Sequence, residues 1–308
     1  MKILGKEAAK SLLNMIVADI CGKRELATVD RGFALDLLVK ELKKDPKILS
    51  FILSKDPAKI NRSEKYKSLV KKVRAVLRKT YGVFTTSKTT KRDELLRTLK
   101  EKMSRTDSIG DSIEEHKAVL EAHLSTKERM EIYPELYWKI WELTDKPYDI
   151  IDLGSGLNPL SFPWMGLEKV NYLATEMSQS DCDFLNSYFE SAKKFGMYGL
   201  AIKMNLQDIK EKPELLKSLP KSWLCLMLKL LDTIELGKGH KLSSKIIESV
   251  PARWVVVSFP TQTIGKRKMG RRENILWLED FCEKNKYNIN KFKLGEELFY
   301  VIDKVVKE

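Results

Sequence analysis

With 308 residues, 43% of them hydrophobic, the chain is long and apolar enough for two domains of ordinary size. Its net charge is +13, from 56 Lys and Arg against 43 Asp and Glu. Apolar runs such as 223–228 and 254–259 are far too short to span a membrane. Four cysteines without CxxC spacing and only three histidines speak against a zinc site or a disulfide framework. The start is charged and has no apolar leader, so a soluble cytoplasmic protein is the expectation.

Residues 1–124 read as helical throughout. Leu12, Leu13, Ile16, Val17 and Ile20 recur at helical spacing, as do Phe33, Leu35, Leu37, Leu38 and Leu42. Asp45-Pro46 and Asp56-Pro57 mark breaks, because a residue before proline avoids the helical region. A helix over about 63–79 sets Leu69, Val70, Val73, Val76 and Leu77 on one face. Its other face carries Lys67, Lys71, Lys72, Arg74, Arg78 and Lys79, and a further basic helix follows over about 91–103. Residues 1–124 hold 28 basic and 17 acidic residues, whereas 125–308 hold 28 and 26. A basic half joined to a near-neutral half suggests a polyanion-binding module beside a catalytic one. The plain alternative is a set of solvated helix faces.

The helical pattern continues over 112–143, interrupted at His123-Leu-Ser-Thr-Lys-Glu-Arg129, where Ser125 or Thr126 is suited to cap a new helix. Tyr148-Asp-Ile-Ile-Asp-Leu-Gly-Ser-Gly-Leu-Asn-Pro159 then changes the pattern. An apolar run ends in Gly154-Ser-Gly156 and leads toward a helix, as a buried parallel strand with a glycine turn does. A second apolar run ends in Glu176. In a nucleotide-binding sheet, an acid placed there accepts hydrogen bonds from ribose hydroxyls. A dinucleotide fingerprint wants a third glycine, and Pro159 stands in its place. Proline suits a first helical turn but not a pyrophosphate cradle. S-adenosylmethionine, which has a ribose and an adenine but no phosphate, fits better.

After Glu176 the pattern alternates. A helix is expected over 180–195, strands over 200–204, 223–228 and 254–259, and helices over 239–250 and 273–284. A very basic loop occupies 265–272, and two last runs, 289–294 and 298–302, read as an antiparallel pair. This alternation implies an α/β protein with a doubly wound, mostly parallel sheet. The reversed terminal pair is typical of the class I, Rossmann-like S-adenosylmethionine methyltransferases. The expected organisation is an all-helical, RNA-binding domain over 1–124 and a methyltransferase domain over 125–308.

Four segments together resemble the Arm/Rmt family of aminoglycoside-resistance methyltransferases, which modify a guanine N7 in small-subunit ribosomal RNA. The first is His123-Leu-Ser-Thr-Lys-Glu-Arg129, similar to the family's His-x-Ser-Thr-x-Glu-Arg. The second is Asp152-Leu-Gly-Ser-Gly-Leu-Asn-Pro-Leu-Ser-Phe-Pro-Trp-Met165, and the third Leu228-Lys-Leu-Leu231. The fourth is Val257-Ser-Phe-Pro260 with a basic loop and Glu273-Asn274 ahead of Trp277. The likeness covers about 62–308. The first 60 or so residues have no counterpart, and Arg271-Arg272 stand where the family has Met-Glu.

The resemblance implies that Arg129 reaches the methionine carboxylate of S-adenosylmethionine, a task suited to a guanidinium. Gly154, Ser155 and Gly156 would face the methionine and ribose, Glu176 the ribose hydroxyls, and Asp208 the adenine amino group. Asp152, Met177 and Ile209 complete the expected cofactor set. Lys229 and Trp164 are candidate contacts to the target base, with a snorkelling lysine and a core aromatic as their ordinary alternatives. Lys71, Lys72, Arg74 and Arg78, with Lys266, Arg267, Lys268, Arg271 and Arg272 in the loop, are expected to grip RNA phosphates. Tyr66 and Tyr81 among the basic helices are equally suited to a core.

The chemistry implied is displacement of a methyl group from a sulfonium. Guanine N7 has a free lone pair at neutral pH, so no general base is required and positioning suffices. The sequence offers no His/Asp or Cys/His constellation, in keeping with that. The small ribosomal subunit is the expected partner and the protein is expected to act as a monomer, without metal or membrane. Two alternatives stand beside this reading: action on tRNA or another ribosomal RNA atom, and a catalytically silent ribosome-binding factor.

Overall fold

The computed structural model describes residues 2–3, 6–7, 10–54, 57–235, 239–261 and 275–305. They fall into two compact units, 1–85 and 86–308.

The first unit is helical apart from a small hairpin of Lys2–Ile3 with Lys6–Glu7. Helix α1 (Lys10–Cys21) buries Leu12, Leu13, Ile16, Val17 and Ile20, the stripe its spacing predicts. In α2 (Arg31–Lys44), Asp30 caps the first turn by accepting the N–H of Phe33 at 2.7 Å. Asp45 caps α3 (Pro46–Ser54) through the N–H groups of Lys47 and Ile48, and Pro46 occupies the first turn, where no N–H is needed. The break expected there is therefore a capped junction between two helices. Helix α4 (Glu64–Thr80) is capped by Ser63 and buries Tyr66, Leu69, Val70, Val73 and Leu77. Tyr66 is a core residue whose hydroxyl donates to Asp19, and Tyr81 donates to the Thr28 carbonyl.

In the second unit, α5 (Arg92–Ser104), α6 (Ile113–Leu120), α7 (Leu124–Arg129) and α8 (Tyr133–Thr144) precede the sheet. The boundary expected at 124 thus lies at 85 instead. Helix α5 buries Leu96, Leu99 and Met103 in the same core as the sheet, and Arg92 and Lys100 bind Asp181 and Ser187 of α9 (Gln179–Ala192).

The strands are β1 (Asp149–Leu153), β2 (Val170–Glu176), β3 (Met197–Lys203), β4 (Ser222–Leu228), β5 (Ala252–Pro260), β6 (Asn288–Leu294) and β7 (Glu297–Asp303). Their order is β3-β2-β1-β4-β5-β7-β6. All pairs among β1–β5 are parallel, and β7 lies antiparallel between β5 and β6. Side-chain alternation feeds two cores. Ile150, Leu224, Leu226 and Val256 enter one, whereas Ile151, Leu153, Cys225, Met227 and Val257 enter the other. Burial on both faces is why β4 reads as a continuous apolar run. Helices α10 (Lys241–Ser249) and α11 (Leu276–Lys284) complete the alternation.

The helix expected after the glycine turn is a 3-10 segment, Asn158–Trp164. Pro159 and Pro163 both lie in it, and a proline inside an α-helix removes a donor and clashes with the preceding turn. No helix among the described residues is long and apolar enough to cross a membrane.

Candidate active site

Connections from β1 and β4 leave in opposite directions along the sheet, and the crevice beyond their carboxyl ends is where open α/β sheets bind ligands. The turn Gly154-Ser155-Gly156 lies there. Both glycines have positive φ, +60° and +56°. The positive φ of Gly154 is what demands glycine there; a Cβ would also lie 2.6 Å from Leu230 Cδ1, a side-chain end that would have to shift. The end of β2 holds the turn. The N–H of Gly154 donates to Thr175 Oγ1, that of Ser155 to the Thr175 carbonyl, and that of Gly156 to the Glu176 carboxylate. The buried Ser155 Oγ has no hydrogen-bond partner among the described residues.

Glu176 also accepts the N–H of Met177, at 3.3 Å, and both residues are half-buried. Burial and the nearby Asp181 carboxylate push the Glu176 pKa up, against the two backbone donors. At the end of β3, the N–H of Met204 donates to the Glu176 carbonyl, which brings the segment Leu206–Lys210 to the same edge. Asp208 is half-buried there. Ile209 is fully buried, so its side chain packs the core beneath the site rather than lining it.

Arg129 closes α7 and is 1% exposed, not a solvated helix-start arginine. Neither Ser125 nor Thr126 caps this helix. His123 is at the cap, Ser125 Oγ lies 3.0 Å from His123 Nδ1, and Thr126 donates back to the Leu120 and His123 carbonyls. Arg129 Nε donates to both oxygens of Glu297, at 3.0 and 3.1 Å. Its Nη2 is buried without a partner among the described residues. A buried charged donor left unpaired is costly, about 1–3 kcal/mol or more, so the atom calls for an acceptor.

Lys229 follows β4 in the left-handed region, φ +54°. Its side chain is 8% exposed, with Nζ 2.5 Å from Glu128 and 3.1 Å from Glu297. It is thus neither snorkelling nor extended toward a target base. Trp164 is also turned inward: it stacks on Tyr133 with ring centroids 6.0 Å apart and packs on the core.

Asp152 departs from its expected role. It is 1% exposed, accepts from Tyr172 Oη at 2.5 Å and Asn158 Nδ2 at 3.0 Å, and Tyr133 Oη donates to Asn158. Burial raises its pKa to about 6 despite these two donors. Asp152 anchors the 3-10 segment to the sheet, and both groups that satisfy it come from the protein.

In the first unit, Lys71 and Lys72 are exposed on α4. Arg78 pairs with Glu25 at 2.8 Å while remaining 45% exposed. Arg74 is different: its guanidinium donates to the Asp19 and Ile20 carbonyls at the end of α1, where a cation also favours the helix dipole. It is a structural cap and is withdrawn from the RNA-facing set. Lys266, Arg267, Lys268, Arg271 and Arg272 lie outside the described residues.

Sequence reasoning missed three participants. Glu297 is one, since nothing marks an acid at the start of a closing strand. His123 is another: its ring lies 3.1 Å from where a Gly156 Cβ would stand. Burial, then the charges of Arg129, Arg92 and Lys229, lower its pKa to about 3, so it is neutral. Asn158 is the third, and its position after the glycine turn was the available signal. Among the described residues, no group of three or more His, Cys, Asp or Glu is placed to hold a metal.

Comparison with known proteins places this site in context. The family model described as ribosomal RNA methyltransferase (FmrO) matches residues 58–301. A 16S rRNA (guanine(1405)-N(7))-methyltransferase of Micromonospora rosea is 29% identical over 240 residues, 76% of this chain and 82% of that protein. The enzyme of the same name from Proteus mirabilis is 30% identical over 194 residues, 61% of this chain and 64% of that protein. Among solved structures, 16S rRNA methyltransferase RmtF in complex with S-adenosyl-L-homocysteine has a TM-score of 0.66 at 22% identity, covering 96% of this chain and 99% of its own. The 16S rRNA methylase RmtB gives 0.59 at 20% identity, covering 95% and 98%. At such identities the likeness speaks for the fold.

Proposed function

The chain belongs to the ribosomal RNA methyltransferase (FmrO) family, and on that premise we propose that it methylates N7 of a guanine in small-subunit ribosomal RNA, with S-adenosylmethionine as donor. The observation that carries this reading is the pair of unmet polar groups at the carboxyl edge. Arg129 Nη2 and Ser155 Oγ, the latter in the glycine turn, are both buried and unpartnered among the described residues. A ligand carrying a carboxylate and a ribose suits that donor set.

In this reading Arg129 binds the amino-acid carboxylate, Glu176 and the glycine turn hold the ribose, and Asp208 contacts the adenine. The donor would supply an electrophilic methyl on a sulfonium: as guanine N7 attacks through its free lone pair the methyl–sulfur bond breaks, S-adenosylhomocysteine leaves as a neutral thioether, and the positive charge passes to the N7-methylated base. The residues of this chain therefore orient the partners and need move no proton. His123, neutral and packed on Gly156, supports the turn rather than acting as a base. Lys71 and Lys72 of α4 would contact RNA phosphates, supplying affinity without sequence reading. Loop residues 266–272 are assigned the same task on composition alone.

The test is to incubate the protein with S-adenosylmethionine and either isolated small subunits or total tRNA, then map the methyl group by mass spectrometry of digested RNA. N7-methylguanine in the small-subunit RNA is expected. The family match begins at residue 58, whereas the RmtF structure covers 96% of this chain, so the preceding segment departs in sequence rather than lacking a counterpart in fold; that departure motivates one second reading: a different RNA target. Methyl transfer to tRNA, or to another ribosomal RNA atom, would establish it. RNA binding without transfer to either substrate would instead mark a silent ribosome-binding factor.

A further inference from the structure

Glu297 opens β7, the strand that runs against β5, so the chain returns a carboxylate to the same edge at which β1 and β4 end. It is 2% exposed and fully engaged. Both oxygens accept from Arg129 Nε, Oε1 accepts from the Ser258 hydroxyl, and Oε2 lies 3.1 Å from Lys229 Nζ. Burial alone would raise its pKa, yet Arg129, Lys229 and Ser258 outweigh burial and hold it below the usual glutamate range. Arg129, Glu297 and Lys229 form a trio with side chains 2%, 3% and 8% exposed, and Glu128 also pairs with Lys229, so the cluster is formally neutral.

The geometry of the trio matters more than its charge. A guanidinium is a rigid planar fork, so holding one edge sets the direction of the others. Glu297 occupies the Nε position, with nearly equal distances to its two oxygens, and Nη2 is the buried atom left without a partner among the described residues. Accepting the reading of Arg129 as the carboxylate-binding group, we propose that Glu297 is a positioning residue for the methyl donor: it pins Arg129 through Nε and so presents the Nη edge to the amino-acid carboxylate. Glu297 itself does not touch the ligand. Ser258 and Lys229 hold Glu297 in turn.

The test compares two ligands on the full chain by calorimetry: S-adenosylhomocysteine, and 5′-methylthioadenosine, which shares the nucleoside but lacks the amino-acid carboxylate. Glu297→Gln should weaken S-adenosylhomocysteine by about tenfold, the worth of one aligned charge-assisted hydrogen bond, and leave 5′-methylthioadenosine unchanged. In an Arg129→Ala background the same substitution should have no further effect on either ligand. Equal loss for both ligands, or no loss for either, overturns the positioning role while leaving the proposed function intact. A wild-type protein that binds neither ligand overturns the donor-site reading and this inference with it. Should Glu297→Gln fail to fold, Ser258→Ala removes the hydroxyl that holds the same carboxylate and carries the test with the same two outcomes.

Discussion

The carboxylate of Glu176 accepts the backbone N–H of Gly156, so the acid that ends β2 holds the turn that ends β1. The same side chain thus shapes the loop and, in the proposed reading, also receives a ribose. Glu176→Ala removes both functions. S-adenosylhomocysteine affinity is expected to fall by at least about tenfold, or about 1.4 kcal/mol, as measured by calorimetry. Wild-type affinity in this variant would take Glu176 out of the site.

The same residue makes binding depend on pH. Burial and Asp181 raise its pKa, so it takes up a proton at a higher pH than an ordinary glutamate near about 4.3. The ionised form is the stronger acceptor for ribose hydroxyls. Nucleoside affinity should therefore be full at alkaline pH and decline as pH falls through that elevated value. Glu176→Gln, which does not titrate, should flatten this part of the profile. An unchanged profile in Glu176→Gln would assign the pH dependence to another group.

Gly156→Ala places a Cβ in a left-handed conformation, φ +56°, and 3.1 Å from His123 Cε1. A loss of about 1–2 kcal/mol in stability is expected from the backbone alone, read as a lower Tm. Adding His123→Ala should relieve the steric part and not the conformational part. A Tm unchanged by Gly156→Ala would mean that the turn adapts freely.

Tyr172→Phe removes the hydroxyl that donates to Asp152 in the core. It should cost about 1–3 kcal/mol of unfolding free energy by denaturant titration. Nucleoside affinity should change less than in Glu176→Ala, because Asp152 braces the site without facing it. A larger loss of affinity than of stability would return Asp152 to the binding set.

Lys71 and Lys72 are exposed on α4, whereas Arg74 caps α1. Replacing both lysines by alanine should weaken RNA binding and make its salt dependence shallower by roughly 1.5 in log–log slope, with nucleoside affinity unchanged. Arg74→Ala should instead lower the Tm. The opposite pattern, an RNA defect confined to Arg74→Ala, would reverse these assignments.

Much of the candidate site's framework was legible because its marks are local. A strand that must be buried on both faces is an apolar run, and a turn that needs positive φ is written as glycine. Thus β1, Gly154, Gly156 and Glu176 could be read in order, and the closing antiparallel pair followed from two runs joined by Gly295-Glu296. The helix expected after the turn was misread because prolines that favour a first turn also prevent the turns that follow.

What sequence by itself determined, then, is the order of elements and the residues whose demands are met by near neighbours. Tertiary structure alone decided the rest. Arg129 and Glu297 lie 168 positions apart, and no periodicity links them. Asp152 lies beside the glycine turn in sequence, yet Tyr172 and Asn158 draw it into the core. Arg74 shares a helix face with exposed lysines but turns to the carbonyls that end α1. In each case burial removes water as a partner, and a polar group's role is then set by whichever distant group the fold brings within hydrogen-bond reach.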